Sequence, residues 1–137
     1  MKRRVNLDGG TLMMEKDLVM FFNKCPQALP LYAAFEEMIR VKYPGTTVKI
    51  QKSQISMSNK HPFAFIWLPI RKMKNRPDIY VILSFGLPYR LDSPRIAEAT
   101  EPYPNRWTHH VIIQDKNELD SELMNWIDEA YAFAMRK

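Results

Sequence analysis

The spacing of apolar residues changes twice along this chain. Leu18, Phe21 and Phe22, and then Leu31, Phe35, Met38 and Ile39, recur at intervals of three and four, which buries one face of a helix. From Thr46 the period is two: Val48 and Ile50 alternate with Lys49 and Gln51, and Ile55 and Met57 with Gln54, Ser56 and Ser58. Helical spacing returns after Gln114, where Leu119, Leu123, Trp126, Ile127, Ala130 and Phe133 form one stripe. Helices at both ends of a run of strands predict an α+β fold. The expected form is a single two-layer domain: an antiparallel sheet of four to five strands, with two N-terminal helices and one C-terminal helix on one face.

At 137 residues and 46% hydrophobic, the chain is long and apolar enough to bury a core without a metal or a disulfide. Residues 1–10, ending in Gly9-Gly10, read as a flexible lead-in, and residues 11–137 as the domain. The first helix, about Leu12 to Asn23, is interrupted at Cys25-Pro26. The second begins between Gln27 and Pro30, since proline is tolerated in a first turn, and Pro44-Gly45 stops it after Lys42. The last helix spans about Lys116 to Met135, with Asp115 and Glu118 as a cap pairing at its start. A single Cys25 fits a reducing cytoplasm. No apolar run approaches the ~18 residues of a membrane span, and no apolar segment follows the basic N-terminus as in a signal peptide. The expected location is cytoplasmic, with no membrane partner.

Val48 and Ile50 sit at even positions, Ile55 and Met57 at odd ones, so the phase slips between Gln51 and Gln54. Either a tight turn or a bulge lies at Lys52-Ser53, and a bulge would re-aim Lys52 toward a site. Phe63 to Leu68 and Ile79 to Phe85 are apolar on both faces, as central strands are. Trp107 to Gln114 is the last strand. The connection from Gly86 to Arg106 is long, and part of it reads as helical, with Ser93 as N-cap, Pro94 at the first position and Arg95 to Thr100 following. Loops of this length serve as lids, as binding loops or as covers over a sheet face.

The face away from the helices would carry Lys49, Gln51, Gln54, Ser56, Tyr80, Ser84, Thr108 and His110. The third strand adds either Phe63, Phe65 and Trp67 or Ala64, Ile66 and Leu68. A polar rim around an apolar centre describes a ligand cleft, and equally a face covered by the long loop or by a second copy. Glycines at positions 9, 10, 45 and 86 cannot build a phosphate loop, and there is no G-x-S-x-G, CxxC or HExxH. No motif calls for a cofactor. His109 and His110 are neighbours on a strand and point to opposite faces, which argues against a shared metal. His109 has the core phase. His110 has the polar phase, with Arg95 and Arg106 available to clamp a carboxylate or phosphate.

Charge is unevenly placed. Between Met38 and Pro77 there are nine basic residues and no acidic one, whereas Asp115 to Lys137 holds six acidic residues against three basic. A one-signed run favours phosphates, nucleic acid or acidic partners.

Several stretches resemble bacterial proteins of the domain of unknown function 5655 family. They include Lys52-Ser53-Gln54-Ile55-Ser56, Phe63-Ala64-Phe65, Phe85-Gly86-Leu87-Pro88, Ser93-Pro94-Arg95-Ile96, and Glu101-Pro102-Tyr103-Pro104-Asn105-Arg106-Trp107-Thr108-His109-His110. Glu122-Leu123 through Trp126 to Ala130-Tyr131 completes the match, which runs from about Gln27 to the end. The resemblance implies a small α+β domain and supplies no catalytic residues.

The leading expectation is a small non-catalytic binding domain. It would hold an anionic ligand or acidic partner on the outer sheet face under the 86–106 loop, through Lys52, Gln54, Ser56, Arg95, Arg106 and His110. A second is nucleic-acid binding through the basic segment, with Arg71, Lys72, Lys74 and Arg76 on phosphates. A third is a small enzyme with His110 as general base near Ser56 or Tyr80.

Overall fold

In the computed structural model, which describes residues 16–69, 74 and 76–136, helix α1 covers residues 16–21. The expected flexible lead-in therefore lies outside the described residues. After Cys25 a single 3-10 turn, Pro26–Ala28, leads into α2, Leu29–Lys42, with Pro30 in the first turn, where its missing N–H breaks no helical hydrogen bond. The Tyr43 N–H donates to the Ile39 carbonyl at 2.7 Å, and Pro44 prevents the helix from continuing.

Six strands follow: β1 Thr47–Ile50, β2 Ile55–Ser58, β3 Pro62–Trp67, β4 Val81–Leu87, β5 Ile96–Tyr103 and β6 Arg106–Ile113. They form one antiparallel sheet in the order β1-β2-β3-β4-β6-β5, one strand more than the four to five expected. Helix α3, Ser121–Met135, closes the chain. It starts later than expected. Asp115 and Glu118 do form a reciprocal capping box, but on a 3-10 turn, Lys116–Glu118, and Asp120 then caps α3 by accepting the Leu123 N–H at 3.0 Å.

One face of the sheet packs on the helices. Val48, Ile55, Met57, Ala64, Ile66, Leu83, Phe85, Val111 and Ile113 are buried there with Phe35 and Ile39 of α2 and Leu123, Ile127 and Ala130 of α3. Leu18 and Phe22 join the same core, the Phe22 ring lying 5.6 Å from that of Tyr32. No helix of the described residues is long and apolar enough to cross a membrane.

The phase slip at Lys52-Ser53 is a tight hairpin turn, closed by the Gln51 N–H donating to the Gln54 carbonyl at 2.9 Å. The register shift lies one strand further on. Met57 faces Ala64 and Ser58 faces Pro62, leaving Phe63 as the extra residue. A bulge puts successive side chains on one side, and Phe63 and Ala64 are both buried. Phe63 packs edge-on against Tyr43 at 5.4 Å and Tyr131 at 4.9 Å. Beyond the bulge normal alternation sends Ala64 and Ile66 inward, and Phe65 and Trp67 outward.

The segment 86–106 is neither helix nor lid. Arg95 to Thr100, expected to be helical, belongs largely to β5, which pairs with β6 through a turn at Pro104-Asn105. Ala97, Glu98 and Ala99 favour helix locally, but an edge strand tolerates weak alternation, and Pro102 is acceptable where no further strand needs its N–H. Ser93 caps no helix: its hydroxyl accepts the Arg95 N–H at 3.2 Å in a local turn. Residues 89–95 are tied to the helix side. The Tyr89 hydroxyl donates to Glu129, the Leu91 N–H donates to His109 Nε2 at 2.9 Å, and Arg95 reaches Asp120. These ties hold the segment away from the outer face it was expected to cover.

Candidate functional site

Strand pairing lays the outer-face residues in rows. One row crosses the sheet as Lys49, Ser56, Phe65, Ser84, His110 and Glu98; the next is Trp67, Ile82 and Ile112. No described helix packs over them. Between these rows lies a cleft of about 210 Å³, lined by Trp67, Ile82 and Ile112, by Ala97 and Glu98 of β5, by His110, and by Arg76 from the β3–β4 connection. Trp67 remains 37% exposed at its edge.

His110 is the polar centre. Its Nδ1 lies 2.6 Å from Ser84 Oγ, and the Trp67 ring stands perpendicular to the imidazole, 6.0 Å between centroids. Burial pushes the His110 pKa down, opposed in part by the Glu98 carboxylate. The ring is thus neutral near pH 7. Ser84 occupies Nδ1 and leaves Nε2 for whatever enters the cleft. With 1% of its surface exposed, Ser84 is positioned to orient the imidazole rather than to attack a substrate.

The serine that His110 meets is Ser84, not the expected Ser56 or Tyr80. Ser56 shares the row but lies three strands away, roughly 14 Å at the usual strand spacing. Tyr80 is buried four residues before Ser84, roughly 13 Å along an extended chain. His109 points to the other face, fully buried and stacked on Phe85 at 5.4 Å, with burial lowering its pKa. The two histidines therefore serve different layers. Among the described residues no three His, Cys, Asp or Glu side chains gather as a metal site.

The six residues expected to bind one ligand do not form one cluster. Lys52 is exposed at the tip of the β1–β2 hairpin, with Gln54 beside it. Arg95 lies on the helix side, where Nη1 is 2.9 Å from Asp120 and 3.0 Å from Glu122, Nη2 donates to the Glu118 carbonyl at 2.8 Å, and the guanidinium covers Trp126. Arg106 stacks over Phe133 of α3 at 5.5 Å. Of the six, His110 alone lines the cleft at Trp67. Of the four residues expected to contact nucleic acid, Arg71 and Lys72 lie outside the described residues, Lys74 is exposed, and Arg76 borders the cleft.

Sequence reasoning passed over Ile82 and Ile112 as site residues, and left Trp67 in one of two alternative sets for this face, because an apolar side chain carries the same signal whether it lines a core or a cleft. It placed Ser84 and His110 on one face from their phase. Their contact depends on β4 pairing with β6 across the intervening β5 segment, which no local pattern encodes.

A family model described as Domain of unknown function (DUF5655) matches residues 20–134, and the chain belongs to that family. The match spans all six strands and both long helices, and so includes the cleft. No curated protein and no solved structure matches the chain.

Proposed function

We propose that this domain is a small non-catalytic binding module that holds an anionic ligand on its outer sheet face. The observation that carries the proposal is the cleft itself: an apolar floor of Trp67, Ile82 and Ile112 beside Arg76, with a neutral imidazole held by a buried serine. Such a site buries the apolar part of a ligand and fixes its orientation with a few polar groups. Arg76 supplies the charge and His110 Nε2 a hydrogen bond. Calorimetric titration with inorganic phosphate at low salt tests the reading. Binding that Arg76→Ala weakens by about tenfold, the scale of one charge-assisted hydrogen bond, supports it. No heat at millimolar phosphate, or equal affinity in Arg76→Ala, sinks it.

A second reading is favoured by one feature. Trp67 stands partly exposed on a sheet face that no described helix covers, with Arg76 and Lys74 on the adjoining segment, an arrangement suited to stacking a base of single-stranded nucleic acid. Trp67→Ala would then weaken binding of a labelled oligothymidine by roughly 1–3 kcal/mol, measured by anisotropy.

A further inference from the structure

A second cavity, of about 140 Å³, lies where β3, β4 and β6 meet the last turns of α3. Phe63, Phe65, Phe85 and Phe133 line it, with Gly86, Thr108 and Arg106 among the other lining residues. An apolar cavity of roughly this size, about 150 Å³, is enough to take a benzene ring.

Gly86 leaves room at this point. It sits inside β4, paired with Thr108, and no glycine of the described residues has a positive φ, so its backbone conformation does not require glycine. A Cβ added there would meet only the Trp107 carbonyl oxygen, at 3.8 Å, in otherwise open space. Mid-strand glycine weakens a sheet, and what it supplies in return is space for a close neighbour.

The charge beside the cavity is also distinctive. The guanidinium carbons of Arg106 and Arg136 lie 5.5 Å and 5.4 Å from the centre of the same Phe133 ring. Neither has a carboxylate partner within ion-pair distance among the described residues, in contrast to Arg95, which is held by Asp120 and Glu122. Two like charges sharing one ring are stabilised by an anion that either can bind as a fork. The Thr108 hydroxyl adds a neutral partner.

We infer that this cavity binds a single-ring aromatic carboxylate, with the ring among the four phenylalanines and the carboxylate on Arg106. The inference is independent of the cleft at Trp67. The two share no lining residue, and Ser84, between Phe65 of this cavity and His110 of the cleft, lines neither.

Amide NMR of the full chain, titrated with benzoate, with benzyl alcohol (ring without charge) and with acetate (charge without ring), tests it. Benzoate should shift Gly86, Thr108 and Phe133 and bind about tenfold more tightly than either control, the scale of one charge-assisted contact. Arg106→Gln should bring benzoate to the level of benzyl alcohol and leave benzyl alcohol unchanged. Gly86→Ala should keep or raise the melting temperature and weaken both ring compounds severalfold. Benzoate no tighter than acetate, or unchanged in Gly86→Ala, overturns the inference. So do shifts confined to Ile82, His110 and Ile112, which would report the other cleft; phosphate binding there is read separately and stands or falls alone.

Discussion

His109 and His110 are adjacent in sequence and opposite in environment, because successive side chains of β6 enter different layers. Both are driven toward the neutral form by burial. A folded-state imidazole pKa below the unfolded value of about 6.5 means that the unfolded chain takes up protons first as pH falls. Stability is therefore expected to drop as pH is lowered from about 7.5 to 5.5, by up to about 1.4 kcal/mol per pH unit for each histidine. Asp120, held down by Arg95, titrates at lower pH, as does Asp128, where Lys42 and Tyr43 outweigh the effect of burial. Urea melts of His109→Gln, whose amide oxygen can still accept the Leu91 N–H, should show a smaller loss over that range; an unchanged loss would assign the effect elsewhere. Arg95 illustrates the opposite case, a residue with a function-like side chain and a structural position. Arg95→Ala should cost about 1–3 kcal/mol through its bonds to Asp120, Glu122 and the Glu118 carbonyl, while leaving phosphate affinity unaltered.

At the level of elements, the turn between β5 and β6 decides where the long segment goes. Pro104 has φ fixed near −65° and Asn105 adopts φ of 61°, the combination of a type II turn, which reverses the chain and pairs Tyr103 with Arg106. Asn105→Ala should destabilise the domain by about 1–2 kcal/mol and Asn105→Gly should not, read as midpoint shifts in urea. Equal midpoints for the two would mean the turn relaxes to another form. The same turn shows what could be read in advance. Pro102 and Pro104 announce a stiff stretch but not a reversal, and Ala97-Glu98-Ala99 reads as helix, because edge-strand residues face solvent on too many sides to keep a period of two. The bodies of α2 and α3 were legible, since apolar stripes and prolines are local. The caps were not, as Asp115 caps a 3-10 turn and Ser93 no helix, and the β1–β2 connection was narrowed only to a tight turn or a bulge. The register slip at Phe63 was not legible: odd and even sets on β3 are both apolar, and only pairing with β2 chooses between them. The candidate site was legible in half. His110 and Ser84 follow from phase, whereas Arg95 was misplaced because its acceptors, Asp120 and Glu122, lie far along the chain.

The described residues form a two-layer sandwich that uses one sheet face for its core and packs no described helix on the other, and its charges divide along the same line. Arg40 and Lys42 of the acid-free segment pair with Glu36 and Asp128 on the helix side. Lys49, Lys74 and Arg76 have no carboxylate within ion-pair distance among the described residues, Lys49 standing on the open face and Arg76 at its cleft. Across the sheet from them, β5 carries exposed Glu98 and Glu101 at the edge. A polyanion laid across the strands would meet several cations and both acidic residues, whereas a small anion in the cleft meets Arg76 and Glu98. Salt dependence separates these cases. A ligand neutralising one cation loses affinity with a log–log slope of about −1 or shallower, while a single strand contacting Lys49, Lys74 and Arg76 would show a slope of about −2, at roughly 0.7 per phosphate. Anisotropy of labelled oligothymidine between about 50 and 200 mM salt should accordingly show weak binding and a shallow slope. A slope of about −2 that Lys49→Ala reduces would transfer the open face from a small-anion site to a nucleic-acid site. The acidic edge of β5 would then mark where the strand turns away from the sheet.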